Sequence, residues 1–135
     1  MPRLSIWAVR LSLSYLLLGF TLGALMLANE GVPFGLWVGS LLPGHIDILL
    51  FGFVIQLAIG MAYWILPRFP GGSRGNETVL WITVGLLNLG IWTVALIGLL
   101  ELPGQWLAIG RLFEGIASAL FAFQVWKRIR ASQTT

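Results

Sequence analysis

The sequence contains no cysteine, a single histidine and few charged residues. Without cysteine, the chain cannot form a disulfide scaffold or a covalent c-type heme attachment, and one histidine is too few for a metal site of the His/Cys type. Charged residues make up 10% of the 135 residues and hydrophobic residues 58%, whereas a soluble domain carries about 25% charged residues. This composition excludes a water-soluble domain and a disordered chain, and it indicates a small polytopic membrane protein.

Four apolar stretches are long enough to cross a bilayer, since a spanning helix needs roughly 20 residues. Turn-forming segments with Pro, Gly or Asn separate them at residues 29–33, 67–72 (including Pro70) and 101–104. Asn76 or Thr78 can cap the third stretch. The sequence predicts an all-α membrane protein with a single domain over residues 1–135. Its four transmembrane helices form a bundle, at about 6–28, 41–66, 78–100 and 106–126.

The basic residues collect on one side of this predicted topology. A formal net charge of +3 and a pI of about 10.2 are values that nucleic-acid-binding proteins share. Positive residues next to transmembrane helices, however, mark the cytoplasmic side, and the loops on the other side carry Glu30 and Glu101 instead. We therefore expect both termini in the cytoplasm and no nucleic-acid partner. The basic collar consists of Arg3, Arg10, Arg68, Arg74, Lys127, Arg128 and Arg130.

Charged side chains inside the predicted spans are the candidate functional residues, because such groups are costly in lipid and face a partner or a cavity. His45, Asp47, Arg111 and Glu114 all lie in the outer halves of their helices. This shared depth allows an ion pair of Arg111 with Asp47 or, at i,i+3 spacing, with Glu114. Arg111 is alternatively a partner for a heme propionate or another anionic group.

The second helix carries a stripe of the kind that a heme site needs. At about 100° per residue, His45, Gly52, Gln56 and Tyr63 fall on one face. The imidazole would bind iron, and the glycine two turns deeper would make space for the flat macrocycle. Met26 of the first helix is the only methionine near the depth of His45. Structural explanations stay open as well, because glycines let membrane helices approach closely and His45 can form a hydrogen bond to an outer loop.

Two segments of the second helix form an extended pattern, HIDILLFGFVIQ at 45–56 and GMAYWILPR at 60–68. The pattern resembles the second transmembrane helix of heme-copper oxidase catalytic subunits, especially the nitric oxide reductases and cbb-type oxidases. In that family, a histidine opens the helix on the outer side, a Leu-Leu-x-Gly-aromatic stretch follows, and a Pro-Arg pair closes it. The first helix, with Arg10, Tyr15 and Gly19, is also similar to the first helix of the family.

The resemblance implies that His45 is an axial ligand of a low-spin heme b. In the family, the remaining heme and copper ligands lie on later helices, beyond the four of this chain. The resemblance therefore implies electron transfer by a b-type cytochrome, and oxygen or nitric oxide reduction does not carry over.

The second axial ligand has several candidate sources. Two copies of His45 about a two-fold axis would give a homodimer with one heme per two chains. His45 with Met26, or with a ligand from another subunit of a larger membrane complex, are the other choices. Two alternatives to a cytochrome stay open: a heme-free accessory or assembly subunit of a respiratory or photosynthetic complex, and a small membrane transporter. The expected location is a bacterial or archaeal plasma membrane.

Overall fold

The structure, a computed structural model, describes residues 1–69 and 71–131, without the side chains of residues 127, 130 and 131. Over this part of the chain it contains helices and loops and no strand. Four of the helices are long and apolar enough to cross a membrane, which confirms the predicted all-α class and the predicted number of such helices. Pro70 and the side chains of Lys127 and Arg130, which figure in the sequence predictions, lie outside the described residues.

The four helices run close to the predicted bounds. Asn76 caps the third helix as expected, because its side-chain oxygen accepts hydrogen bonds from the backbone N–H groups of Thr78 and Val79. A short 3₁₀ turn over Gly104–Trp106 leads into the fourth helix. In chain order the helices are α1 (Arg3–Gly31), α2 (Leu36–Ile65), α3 (Glu77–Leu99) and α4 (Leu107–Ala131).

Helix α2 changes its winding along its length. It begins with a 3₁₀ segment over Leu36–Leu41 and an α-helical segment over Leu42–Asp47. A π-helical segment follows over Ile48–Ile55, and α-helix resumes over Gln56–Ile65. Mid-helix π segments are rare and are often found at functional sites. Here the π segment lies between two fully buried polar side chains, Asp47 on one side and Gln56 on the other.

Each helix packs against the next one in the chain, and α1 against α2 is the most extensive pair. The apolar core draws on all four helices and includes Leu4, Tyr15, Ile48, Ile59, Leu87, Ile91 and Ala117. Outside this core, large apolar side chains are exposed, such as Leu17, Phe20 and Leu27, each about two-thirds or more exposed. An apolar surface of this extent is unusual on a soluble monomer and is normal on a helix that faces lipid.

The antiparallel order places the loop charges at opposite ends of the molecule. Arg3 and Arg74 line one recess beside Tyr63, and Arg128 bonds to the backbone of Pro67 in the same region. We call this the basic end, and it comprises Arg3, Arg68, Arg74 and Arg128. Glu30, in the last turn of α1, and Glu101, in the connection between α3 and α4, lie at the other end, which we call the acidic end.

Candidate functional site

The charged and titratable residues of the predicted site form two groups, which contact α2 at His45 and at Asp47. His45 lies toward α1, where its ring bonds to a backbone carbonyl. Asp47 meets Arg111 and Glu114 of α4. Because residues two apart on a helix point about 200° apart, these two groups lie on different sides of α2.

The imidazole of His45 has a defined orientation. Its Nδ1 lies 3.0 Å from the carbonyl oxygen of Gly19. A carbonyl can only accept a hydrogen bond, so this contact places a proton on Nδ1 and leaves the lone pair on Nε2. Gly23, one turn further along α1, makes room for the ring, because a Cβ at Gly23 would lie 2.8 Å from Cε1 of His45.

The space beside Gly52 is filled from within the chain. A Cβ on Gly52 would lie 2.7 Å from the Tyr15 ring, so this glycine admits the phenol side chain of α1. A nearby apolar cavity, lined in part by Leu18, Gly44 and Ile48, measures about 160 Å³. Small-molecule pockets begin at about 300 Å³, so this cavity is too small for a porphyrin.

Met26 lies about one helical turn beyond Gly23 on α1 and is half-buried. The contacts of His45 recorded on α1 are with Gly19 and Gly23. Met26 follows Gly23 by three residues and so lies on the same face of α1 as these glycines, and its pairing with His45 as a second ligand stays a prediction.

Asp47, Arg111 and Glu114 form one ion cluster between α2 and α4. Nη1 of Arg111 donates to Oδ1 of Asp47 at 2.5 Å and to Oε2 of Glu114 at 3.1 Å. Both predicted ion pairs are therefore present. The two carboxyl groups are 0% and 1% exposed, while the Arg111 side chain is 47% exposed.

The cluster is closely packed on its other sides. A Cβ at Gly90 of α3 would lie 2.7 Å from Cγ of Glu114 and 2.9 Å from the carbonyl oxygen of Gly110, so α3 and α4 can meet only because this position is a glycine. The guanidinium carbon of Arg111 lies 5.8 Å from the centroid of the Phe51 ring, within the range of a cation–π contact.

A buried polar network links three helices nearer the centre of the molecule. The hydroxyl of Tyr15 donates to Oδ1 of Asn88 at 2.5 Å, and Nδ2 of Asn88 donates to Oε1 of Gln56 at 2.8 Å. Gln56 is fully buried, which gives it a structural role in this arrangement. The sequence analysis placed Gln56 on the stripe that carries His45 and did not pair it with Asn88, although two amides in apolar spans are a signal that they meet.

Arg128 has a role that the sequence analysis missed. The basic collar assigned it to the membrane surface, yet it is 2% exposed. Its guanidinium donates to the carbonyl oxygens of Tyr63, Leu66 and Pro67, at and beyond the end of α2. Burial lowers the pKa of Arg128 from its ordinary value, but a guanidinium remains protonated at neutral pH. Charge alone does not distinguish a solvated arginine from a helix cap, so the sequence placed Arg128 at the basic end without showing this role.

No cluster of three or more His, Cys, Asp or Glu residues suited to a metal ion occurs among the described residues. Comparison of the chain with protein-family models, with curated proteins and with solved structures finds no match. The likeness to heme-copper oxidase helices therefore rests on the residues of α1 and α2 alone.

Proposed function

We propose that this chain is an integral membrane cytochrome that binds heme b through His45 and transfers electrons. In this proposal the four apolar helices cross the bilayer and the basic end faces the cytoplasm, in keeping with the positions of the arginines. His45 then lies in the outer leaflet. The setting is the plasma membrane of a bacterium or an archaeon.

The orientation of the His45 ring is the observation that carries the proposal. Ligating histidines commonly donate one ring N–H to a backbone carbonyl, which fixes the ring and leaves the other nitrogen for the metal. The contact of Nδ1 with the Gly19 oxygen supplies this support. Nε2 is then the nitrogen that would bind iron. Bound heme supplies a one-electron iron couple, whose potential depends on the axial ligands and on burial.

The proposal places the heme at a surface shared with another chain. The space beside Gly52 is occupied by Tyr15, and the cavity near Gly44 is too small, so the macrocycle would lie outside the four-helix unit. His45 is the only histidine. A second copy of His45 across a two-fold axis is the simplest second ligand, and Met26 or a ligand from another subunit are the other choices.

Arg111 is not part of the proposed heme site of its own chain. It bonds to Asp47 on the side of α2 away from the contacts of His45 with α1. Two buried carboxyl groups already bond to its guanidinium, so a propionate would have to compete with them. Gln56 and Gly52 were also predicted to contact heme. Gln56 instead accepts a hydrogen bond from Asn88, and Gly52 packs against the ring of Tyr15.

An absorption spectrum of the protein, produced with heme available and purified in detergent, tests the proposal. We expect a Soret band that His45→Ala removes, because the substitution deletes the iron ligand. With two His45 side chains on one iron, the heme content should be about one half per chain. Ile46→Ala is the matched control, since Ile46 is adjacent, exposed and apolar, and its Soret band should be unchanged.

A Soret band that persists in His45→Ala would contradict the proposal. Absence of the band in the wild-type protein would contradict it too, and would leave the heme-free accessory subunit as the better account. A content near one heme per chain would retain His45 as ligand but reject the shared site.

A further inference from the structure

The cluster of Asp47, Arg111 and Glu114 has one basic group for two buried acids. Each carboxyl group gives one oxygen to Nη1 of Arg111. The second oxygens, Oδ2 of Asp47 and Oε1 of Glu114, are buried and have no hydrogen-bond partner among the described residues. Both side chains are at least 99% buried.

The surrounding elements supply no further charge. From α3, Gly90 contacts the cluster, and the one charged residue of that helix, Glu77, lies in its first turn. From α2, the nearest other titratable group is His45, whose ring bonds to α1. The charged residues of α1 lie in its first two turns or its last turn, at Arg3, Arg10 and Glu30. With both carboxyls ionised, the cluster would hold one uncompensated negative charge in an apolar layer, which is strongly unfavourable.

One bound proton neutralises the excess negative charge. It also allows the two unpartnered carboxyl oxygens to share a hydrogen bond. If one carboxyl is protonated, its O–H can donate to the other carboxyl group, because both groups contact the same Nη1 of Arg111 and therefore lie beside each other. The remaining carboxylate is then balanced by Arg111. We propose that Asp47 and Glu114 together form a binding site for a single proton, held between their carboxyl groups and anchored by Arg111.

The proton site lies nearer the acidic end of the molecule than the basic end. Arg111 is the one exposed member of the cluster, and it lies five residues after Trp106, about 7 Å along the helix axis. Its half-exposed guanidinium is therefore the boundary between the buried acids and the nearer membrane surface. Protons would exchange with that side. This site does not depend on bound heme.

Infrared absorption of the heme-free protein tests the proposal. In a maltoside detergent, which has no carbonyl group, a protonated carboxyl group gives a C=O band that is resolved from carboxylate bands and shifts in ²H₂O. At neutral pH we expect a band equivalent to one carboxyl group per chain. Asp47→Asn and Glu114→Gln should each remove the whole band, because the remaining carboxylate pairs with Arg111 alone. Arg111→Gln should about double it, since both acids then hold protons.

Glu30→Gln and Glu101→Gln are the matched controls, because both acids lie at the acidic end and are exposed; neither should change the band. Circular dichroism identifies variants that do not fold, and the wild-type band and the Arg111→Gln band test the proposal independently of the acid variants. A wild-type protein without the band would overturn the proposal. So would a band that survives intact in both acid variants, or a missing band combined with stabilisation by added Na⁺, which would identify a metal cation in place of the proton.

Discussion

Asn88 shows what a single amide can contribute inside an apolar bundle. It accepts a hydrogen bond from Tyr15 of α1, donates to Gln56 of α2, and also donates to the carbonyl oxygen of Val84 in its own helix. A side chain that bonds in three directions fixes the relative rotation of the helices, which apolar contacts specify poorly because one apolar surface resembles another. Interhelical hydrogen bonds in membrane proteins average about 0.6 kcal/mol each, so the value of this network lies as much in specificity as in stability.

Asn88→Leu tests this role. Leucine has a similar size but leaves the Tyr15 hydroxyl and the Gln56 carbonyl without their partner, and a buried unsatisfied polar group costs about 1–3 kcal/mol. We expect the free energy of unfolding in detergent to fall by about that amount, measured by denaturant titration.

Thr93→Ala is the control for this substitution, because the Thr93 hydroxyl bonds only to Leu89 one turn back in the same helix. Its effect should stay within about 0.5 kcal/mol. Equal losses in both variants would show that Asn88 is no more than an ordinary polar residue of α3.

At the scale of the helix, the end of α2 depends on a residue of α4. The last carbonyl groups of any helix lack partners within that helix, and in lipid no water replaces them. Arg128 donates to three of the carbonyls at and after the end of α2, with its guanidinium 5.4 Å from the Tyr63 ring. The cap joins two helices that are far apart in the chain.

Arg128→Ala should therefore destabilise the protein more than loss of another basic-end arginine. Removing several charge-assisted hydrogen bonds should cost about 2–3 kcal/mol of unfolding free energy. Arg68→Ala, which removes the same charge from an exposed loop position, should cost less than about 0.5 kcal/mol. Parallel thermal or denaturant unfolding of the two variants gives the comparison, and similar losses would contradict the capping role.

The sequence predicted the helices better than it predicted their faces. Long apolar runs and the breakers around Pro67 and Pro103 located all four spans, and Asn76 located one cap correctly. Helix α1 extends to Arg3 and α2 begins at Leu36, outside the apolar windows, because helices in this protein continue until a turn residue stops them. The inward faces were harder to predict, since apolar residues surround every helix and periodicity no longer distinguishes core from lipid.

Parts of the candidate site were predictable because charge in an apolar span demands a partner. Arg111 was expected to meet Asp47 or Glu114, and it meets both. The role of Gly52 as a space for Tyr15, and the burial of Arg128, depend on tertiary distances that residue spacing does not contain. The place of Gln56 beside Asn88 depends on the same kind of distance.

At the scale of the whole molecule, charge and exposure divide the surface into three zones. Exposed apolar side chains surround the middle, the basic end carries Arg3, Arg68, Arg74 and Arg128, and Glu30 and Glu101 lie at the other end. This division is compatible with four helices that cross a membrane, and the proposed topology places the basic end in the cytoplasm.

The absence of cysteine makes the orientation directly measurable, because a single introduced cysteine is the only thiol. Ser73→Cys marks the basic end, and Gln105→Cys marks the acidic end; both positions are exposed. A maleimide that cannot cross membranes should label Gln105→Cys in intact cells and Ser73→Cys only after the cells are opened. The reverse pattern would invert the proposed topology.

The π segment of α2 makes the length of this helix as important as its composition. A π-helical stretch contains more residues per turn than an α-helix, so it sets the angle between the part of α2 that carries Asp47 and the part that carries Gln56. Rewinding all eight residues of Ile48–Ile55 as ordinary α-helix would increase the rotation per residue and turn one part of α2 against the other. Asp47 and Gln56 could then no longer meet Arg111 and Asn88 at the same time. Two polar clusters that share no atom are in this way kept in register by the winding of the backbone between them.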